Sequence, residues 1–190
     1  MRKPQIACIA LAYLFVGVSD EVHARDAGAS FMTGGVDAAR IALARVCLPG
    51  ILERKSIANL ARDQRMVPMP ATSVGAGASD KVWRLGFSEP VYAVAWADGS
   101  CTVIVDRGDA AVLRAAAEAE IRARREGFQL GETGEADGGR VSRTIHCARL
   151  DQGWAVTSIT LPGPQATART RAFSSTTYIR PTPSPLCKAR

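Results

Sequence analysis

The sequence predicts an α+β fold: one antiparallel sheet of five to six strands, with two or three helices packed on one face and disulfides stapling the layers. Three observations lead there. Residues 82–105 read as strands closing on an Asp98-Gly99 turn, the next stretch reads as an amphipathic helix, and residues 141–180 return to strand-like alternation. The connections inside each strand group are too short for the crossovers that parallel pairing needs, so the strands run antiparallel.

In chain order, residues 1–24 are expected to be a cleaved signal peptide. Arg2 and Lys3 supply a positive start, residues 6–18 an uninterrupted apolar run, and Val22-His23-Ala24 a small-residue cleavage site. The run is shorter than the roughly 20 residues a permanent membrane helix needs. The expectation is a periplasmic or secreted chain beginning at Arg25, with no transmembrane anchor after cleavage. Residues 25–190 then form a single α+β domain, with a basic, proline-containing tail from about residue 162.

Residues 36–48 make the first helix candidate, with Val36, Ala39, Leu43, Val46 and Cys47 toward one side and Thr33 or Asp37 as cap. Pro49-Gly50 should end or kink it, and residues 51–64 can restart as a second helical piece. Residues 67–79, with Pro68, Pro70, Gly75 and Gly77, read as a connector holding no regular element. Residues 82–87 and 91–96 are apolar strand segments. Asp98-Gly99 reads as a type I′ turn, and residues 101–105 are β-branched enough for a strand covered on both sides. Asp109 stands at an N-cap; Leu113, Ala117 and Ile121 form the apolar stripe behind it, and Gly127 closes the helix before Phe128 folds back to the core. Residues 131–140 read as a solvated loop. Residues 141–148 and 154–161 alternate as strands joined at Asp151-Gln152-Gly153. Residues 171–180 form the last strand, with Phe173, Ser175, Thr177 and Ile179 on one side and Tyr178 on the other.

Signal removal takes Cys8 and leaves Cys47, Cys101, Cys147 and Cys187. An even number in an exported chain points to two disulfides. Three connectivities exist, and the reading leans to Cys47–Cys101, helix to hairpin, and Cys147–Cys187, strand to tail.

Catalytic motifs are sparse. His146 is the one histidine left after Ala24, and there is no G-x-S-x-G, H-E-x-x-H or C-x-x-C. No metal site or cofactor is expected. If Cys147 faces the core, strand alternation turns His146 outward. Glu89, Asp98, Asp106 and Asp109 lie near strand ends and keep a hydrolase as the alternative reading, although a turn and a cap account for Asp98 and Asp109. Trp83, Trp96 and Trp154 offer a carbohydrate or peptide groove as one reading, although their strand positions favour core packing with one polar edge exposed.

Charge is unevenly placed. The net charge is +6, and no acidic residue follows Asp151, while Arg169, Arg171, Arg180, Lys188 and Arg190 do. Arg169, Arg171 and Arg180, interleaved with Phe173 and Tyr178, are the candidate contacts for an anion or a partner. Nucleic acid is not the expected partner, because an exported protein rarely meets any. The leading expectation is a non-enzymatic binding module engaging a protein or an anionic envelope surface. A structural part of an envelope assembly is the other alternative to a hydrolase.

Intact-mass measurement of the native protein from fractionated cells checks the exported state. The expected species begins at Arg25 and gains about 4 Da on reduction of two disulfides; a chain that keeps Met1 and free thiols refutes it.

Overall fold

A computed structural model describes residues 34–86, 88–168 and 170–187. The expected signal peptide, the Thr33 cap, Phe87 and Arg169 lie outside the described residues.

Eight strands form one sheet in the order β1-β2-β3-β4-β8-β7-β6-β5, and every pairing is antiparallel. The strands are β1 (Val67–Met69), β2 (Lys81–Leu85), β3 (Val91–Ala95), β4 (Cys101–Val105), β5 (Gln129–Ala136), β6 (Val141–Leu150), β7 (Gly153–Pro162) and β8 (Phe173–Arg180). Two four-stranded meanders, β1–β4 and β5–β8, are joined where β4 pairs with β8. The fold class is therefore as expected, α+β with an antiparallel sheet, but the sheet is wider than five or six strands. The two additions are its edges. β1 contains Pro68, which has no amide hydrogen to donate and is tolerated where one side of a strand is unpaired. β5 runs through the stretch expected to be a loop; apart from Leu130 and Ala136 its side chains are polar or absent, as suits an edge strand.

Three helices cover one face. Helix α1 is a continuous run in which Gly35–Ile41 is α-helical, Ala42–Cys47 opens to π pitch, and Leu48–Leu52 closes as α-helix. Pro49 does not end it. The wider π turn just before the proline relaxes the clash its ring would make with the preceding turn, so the helix passes through. Among the described residues, the α1 N-cap is Gly34, which has no side chain to cap it. Glu89, from the β2–β3 loop, accepts the Gly35 amide hydrogen instead, at 2.7 Å. The second helix, α2 (Ile57–Asp63), starts later than expected because Arg54 takes a left-handed φ of 53° and Ser56 caps the restart. Helix α3 (Ala110–Arg122) begins as expected on Asp109, whose carboxylate accepts the Ala111 and Val112 amides. It buries Leu113, Ala117 and Ile121, each of the two large side chains stabilising by roughly 1.5–3 kcal/mol. Phe128 is buried beyond its end.

The core lies between these helices and the sheet, where Leu43, Val46 and Leu48 of α1 and Leu113 and Ile121 of α3 meet Trp83, Val91, Val103, Ile159 and Phe173. The two disulfides are Cys47–Cys101 and Cys147–Cys187, the pairing favoured from the sequence. The first bonds α1 to β4. Arg40 with Glu120 and Arg124 with Glu53, both at 2.9 Å, tie the α1 region to the α3 region.

Turns set the register. The β3–β4 turn differs from the expected two-residue type I′. The Gly99 amide reaches Trp96 O, the Trp96 amide reaches Ser100 O, and Gly99 but not Asp98 has positive φ. This is a three-residue loop closing on a bulge glycine. At the β6–β7 hairpin, Gly153 has φ +137°, and a Cβ there would collide with the Arg180 carbonyl of β8. Gly153→Ala is expected to destabilise by about 2 kcal/mol or more in urea unfolding, through both strain and the lost close approach. Gly134→Ala, on the open edge strand with nothing within 4 Å of the added carbon, should change stability little; equal effects of the two would refute the packing argument.

Candidate functional site

Strand alternation divides the side chains between two faces. The helices cover one. Among the described residues, the other, open face is covered only at its flanks. Val74, Ala71 and Ala76, from the segment between β1 and β2, pack over Val82, Val94 and Ile104 beside Tyr92 and Trp96. On the opposite flank, Cys187 and Leu186 of the C-terminal segment pack over Ile145, Cys147 and Val156 beside Trp154 and Tyr178. The Cys147–Cys187 disulfide and a Glu132 amide to Leu186 carbonyl bond of 2.8 Å hold that second cover down.

Between the covers the sheet shows hydroxyls. Register places Thr102, Thr176 and Ser158 in one row across β4, β8 and β7, and Ser174 and Thr160 in the next. Trp96 Nε1 donates to Thr102 Oγ1 at 2.7 Å, and Thr102 and Thr176 share a hydrogen bond of 2.9 Å. A shallow depression of about 360 Å³ opens here, lined by Trp96, Asp98, Ser100, Thr102, Arg171, Ser174 and Thr176. At one end of the face, Arg149, Trp154 and Arg180 stand directly opposite one another on β6, β7 and β8. A cleft of about 310 Å³ adjoins this row and includes Glu126, Gln129, Leu130, Cys147, Arg149 and Trp154 in its lining. The charged side chains that the paired positions of β2 to β8 project onto the open face are Arg84, Arg143, Arg149 and Arg180. All are arginine. Glu126 is already engaged by Arg124 and Arg125.

The residues singled out from the sequence separate on this frame. Arg180 and Tyr178 lie on the open face. Arg171 sits at the lip of the depression, where its Nη2 donates to Val74 O at 2.7 Å and its Nε lies 3.6 Å from Asp106, so it pins the first cover as well as lining the site. Phe173 is 1% exposed in the core on the helix side and is out of reach of a partner. Cys47, Cys101, Cys147 and Cys187 are all in disulfides. Trp83 is buried in the core, whereas Trp96 and Trp154 are half-buried on the open face. Sequence reasoning missed Arg84, Arg143 and Arg149. The signal for Arg149 was present: a two-residue Asp151-Gln152 turn places Arg149 opposite Trp154.

His146 corrects an expectation. It does not face solvent when Cys147 turns inward: it is 3% exposed on the helix side, while Cys147 is buried on the other side under the C-terminal cover. Both sides of β6 are covered at this point. Among the described residues His146 Nε2 has no hydrogen-bond partner, and Thr157 opposite it bonds to Thr177. Burial pushes the imidazole below its ordinary value of 6.5; Glu118 of α3 opposes this, and Arg122 and Arg114 reinforce it. Burial also works upward on Glu118, but hydrogen bonds from Arg114 and Arg122 outweigh it and hold that carboxyl low. Asp98 is held below the usual carboxylate range by the Ser100 hydroxyl and amide.

The acids considered for hydrolysis have structural partners. Glu89 receives the Gly35 amide, Asp109 caps α3, and Asp98 accepts from Ser100. Glu89 and Asp106 do share a cleft of about 500 Å³ with Ser88, Pro90 and Arg107. Among the described residues, no group of three or more His, Cys, Asp or Glu is placed to hold a metal ion, and no helix is long and apolar enough to cross a membrane.

The buried imidazole has a pH consequence. Its folded-state pKa is depressed, so the unfolded chain binds the proton first as pH falls. The stability present above the ordinary value of 6.5 is lost as pH drops through that value toward the folded one. Urea midpoints should fall between pH 7.5 and about 5 in the native chain, and His146→Gln should flatten that slope; an unchanged slope would refute the assignment.

The chain matches no protein-family model, and comparison with curated proteins and with solved structures found no match.

Proposed function

We propose that the chain is an exported, non-enzymatic binding module whose open sheet face engages an anionic component of the cell envelope. The observation that carries this is the charge of that face. Its paired strand positions contribute Arg84, Arg143, Arg149 and Arg180 with no acid among them, interleaved with Tyr92, Trp154 and Tyr178. Arginine beside aromatic surface favours planar anions and ring systems, and a single sign of charge selects the partner's sign. Two disulfides support residence in an oxidising compartment.

The hydrolase reading has one observation in its favour, the cleft that Glu89 and Asp106 share. Glu89 spends its carboxylate on the α1 N-terminus and Asp106 lies beside Arg171, so neither is set aside for proton transfer. Binding is the stronger reading.

Retention on phosphocellulose across a salt gradient tests it. The native chain should elute at higher salt than Arg149→Ala/Arg180→Ala. Arg45→Ala/Arg62→Ala, which removes equal charge from exposed positions on the helices, should elute close to the native chain. Equal shifts for the two double variants would reduce the effect to net charge and overturn the proposal.

A further inference from the structure

We infer that the depression between Trp96 and Arg171 is a sugar-ring subsite, and that the anionic partner is an acidic polysaccharide. This rests on the anion-binding reading of the open face and names the chemistry of its ligand.

Three features separate a glycan from a bare anion. First, the floor is made of hydroxyls: Thr176 and Ser174 line the depression, and Ser158 and Thr160 continue the two rows onto β7. Hydroxyls both donate and accept, as sugar hydroxyls require, and they give an inorganic anion no charge. Second, the rim carries an acid. Asp98 accepts from the Ser100 amide and hydroxyl through one oxygen, Oδ1. An ionised carboxylate has acceptor sites beyond those two. Its free acceptor sites can take hydrogen bonds from sugar hydroxyls, and Arg171, which also lines the depression, supplies the opposite charge for an acidic substituent. Third, Trp96 is fixed as a platform. It is half-buried against the Val94 and Ile104 cluster, and its indole N–H is committed to Thr102, so the exposed part of the ring offers an apolar surface of set orientation.

The rest of the face explains the charge. Tyr178 lies one row along β8 from Arg180 and diagonal to Trp154. A chain seated at Trp96 can instead follow β8, from Thr176 past the half-buried Tyr178 to Arg180, and so reach the row of Arg180, Trp154 and Arg149 beside the C-terminal cover on Val156. Neighbouring strands lie about 4.8 Å apart, so Arg149 and Arg180, two strands apart, present charges roughly 10 Å from each other. That spacing suits a polymer bearing repeated carboxylates better than a single small anion. Hydroxyl and indole contacts at one end, with Asp98 and Arg171 at the rim, and guanidiniums at the other end select for a ligand that is both sugar and acid.

The test uses the full disulfide-bonded chain with three probes: polygalacturonate, inorganic polyphosphate and neutral dextran. The native chain should bind polygalacturonate most tightly. Trp96→Ala should weaken that binding about tenfold while leaving polyphosphate binding unchanged, and Trp96→Phe, which keeps an aromatic face, should restore most of the loss. Arg149→Ala/Arg180→Ala should weaken both polyanions. If Trp96→Ala leaves polygalacturonate binding intact with its unfolding midpoint unchanged, the sugar subsite is overturned and the anionic face stands. If polyphosphate and polygalacturonate bind equally tightly, with equal loss on arginine removal alone, the ligand is a generic polyanion and the inference again fails. If dextran binds as tightly as polygalacturonate, the anionic reading of the face is the one that falls.

Discussion

The pairing of β4 with β8 holds this molecule together. Each meander is built from neighbours in sequence, but the seam between them joins Cys101 to Thr177 and Val105 to Phe173. Its side-chain bond, Thr102 to Thr176, spans 74 residues. Core and site both depend on it. On the helix side α1 packs on both β4 and β8, with the Cys47–Cys101 disulfide beside the junction. On the open side the hydroxyl rows cross the same junction. Long-range pairing of this kind is slow to form, because the loop-closure entropy is spent before the contacts repay it.

The two halves of the helix-covered face differ. The β1–β4 meander is apolar there, with Trp83, Leu85, Val91 and Val103. The β5–β8 meander instead buries Thr144, His146, Thr157, Ser175 and Thr177. Thr157 and Thr177 satisfy each other at 3.1 Å, but Ser175 Oγ and His146 Nε2 have no partner among the described residues. An unsatisfied buried group costs about 1–3 kcal/mol. The covalent cross-links offset losses of that size, each contributing about 2–4 kcal/mol across loops of 54 and 40 residues. The chain tolerates a partly polar interior because its layers are also bonded together.

Much of the fold was legible in the sequence, and what was not has physical causes. Val91 to Val105 was readable because its strands are apolar on both faces, and α3 because a cap, a stripe and a glycine agree. Of the three cysteine pairings the sequence left open, the one it leaned to, helix to hairpin and strand to tail, is the one that forms. β5 was hidden because an edge strand needs little apolar alternation; yet Asp137-Gly138, at its β6 turn, is the same dipeptide that marked the β3–β4 turn. β1 was hidden by Pro68, a residue that excludes central strands but not edges. His146 misled because alternation states which side a residue takes, not whether that side is covered. The site was half legible. Arg180 and Tyr178 were visible as basic and aromatic neighbours, while Arg143 and Arg149 join them through register, which becomes readable once the Gly153 hairpin is fixed. Phe173 failed as a contact because adjacency along a strand alternates faces.

The two covers flanking the open face are not equivalent. The C-terminal one is fastened by a sulfur–sulfur bond. The other is held by a small apolar cluster and the Arg171 to Val74 hydrogen bond, and a typical hydrogen bond nets only about 1 kcal/mol. The groove therefore behaves as a vice with one fixed jaw and one compliant jaw. A ligand bound there, as proposed above, would gain room on the side that carries Val74, while the side under Cys187 stays held for as long as the disulfide persists.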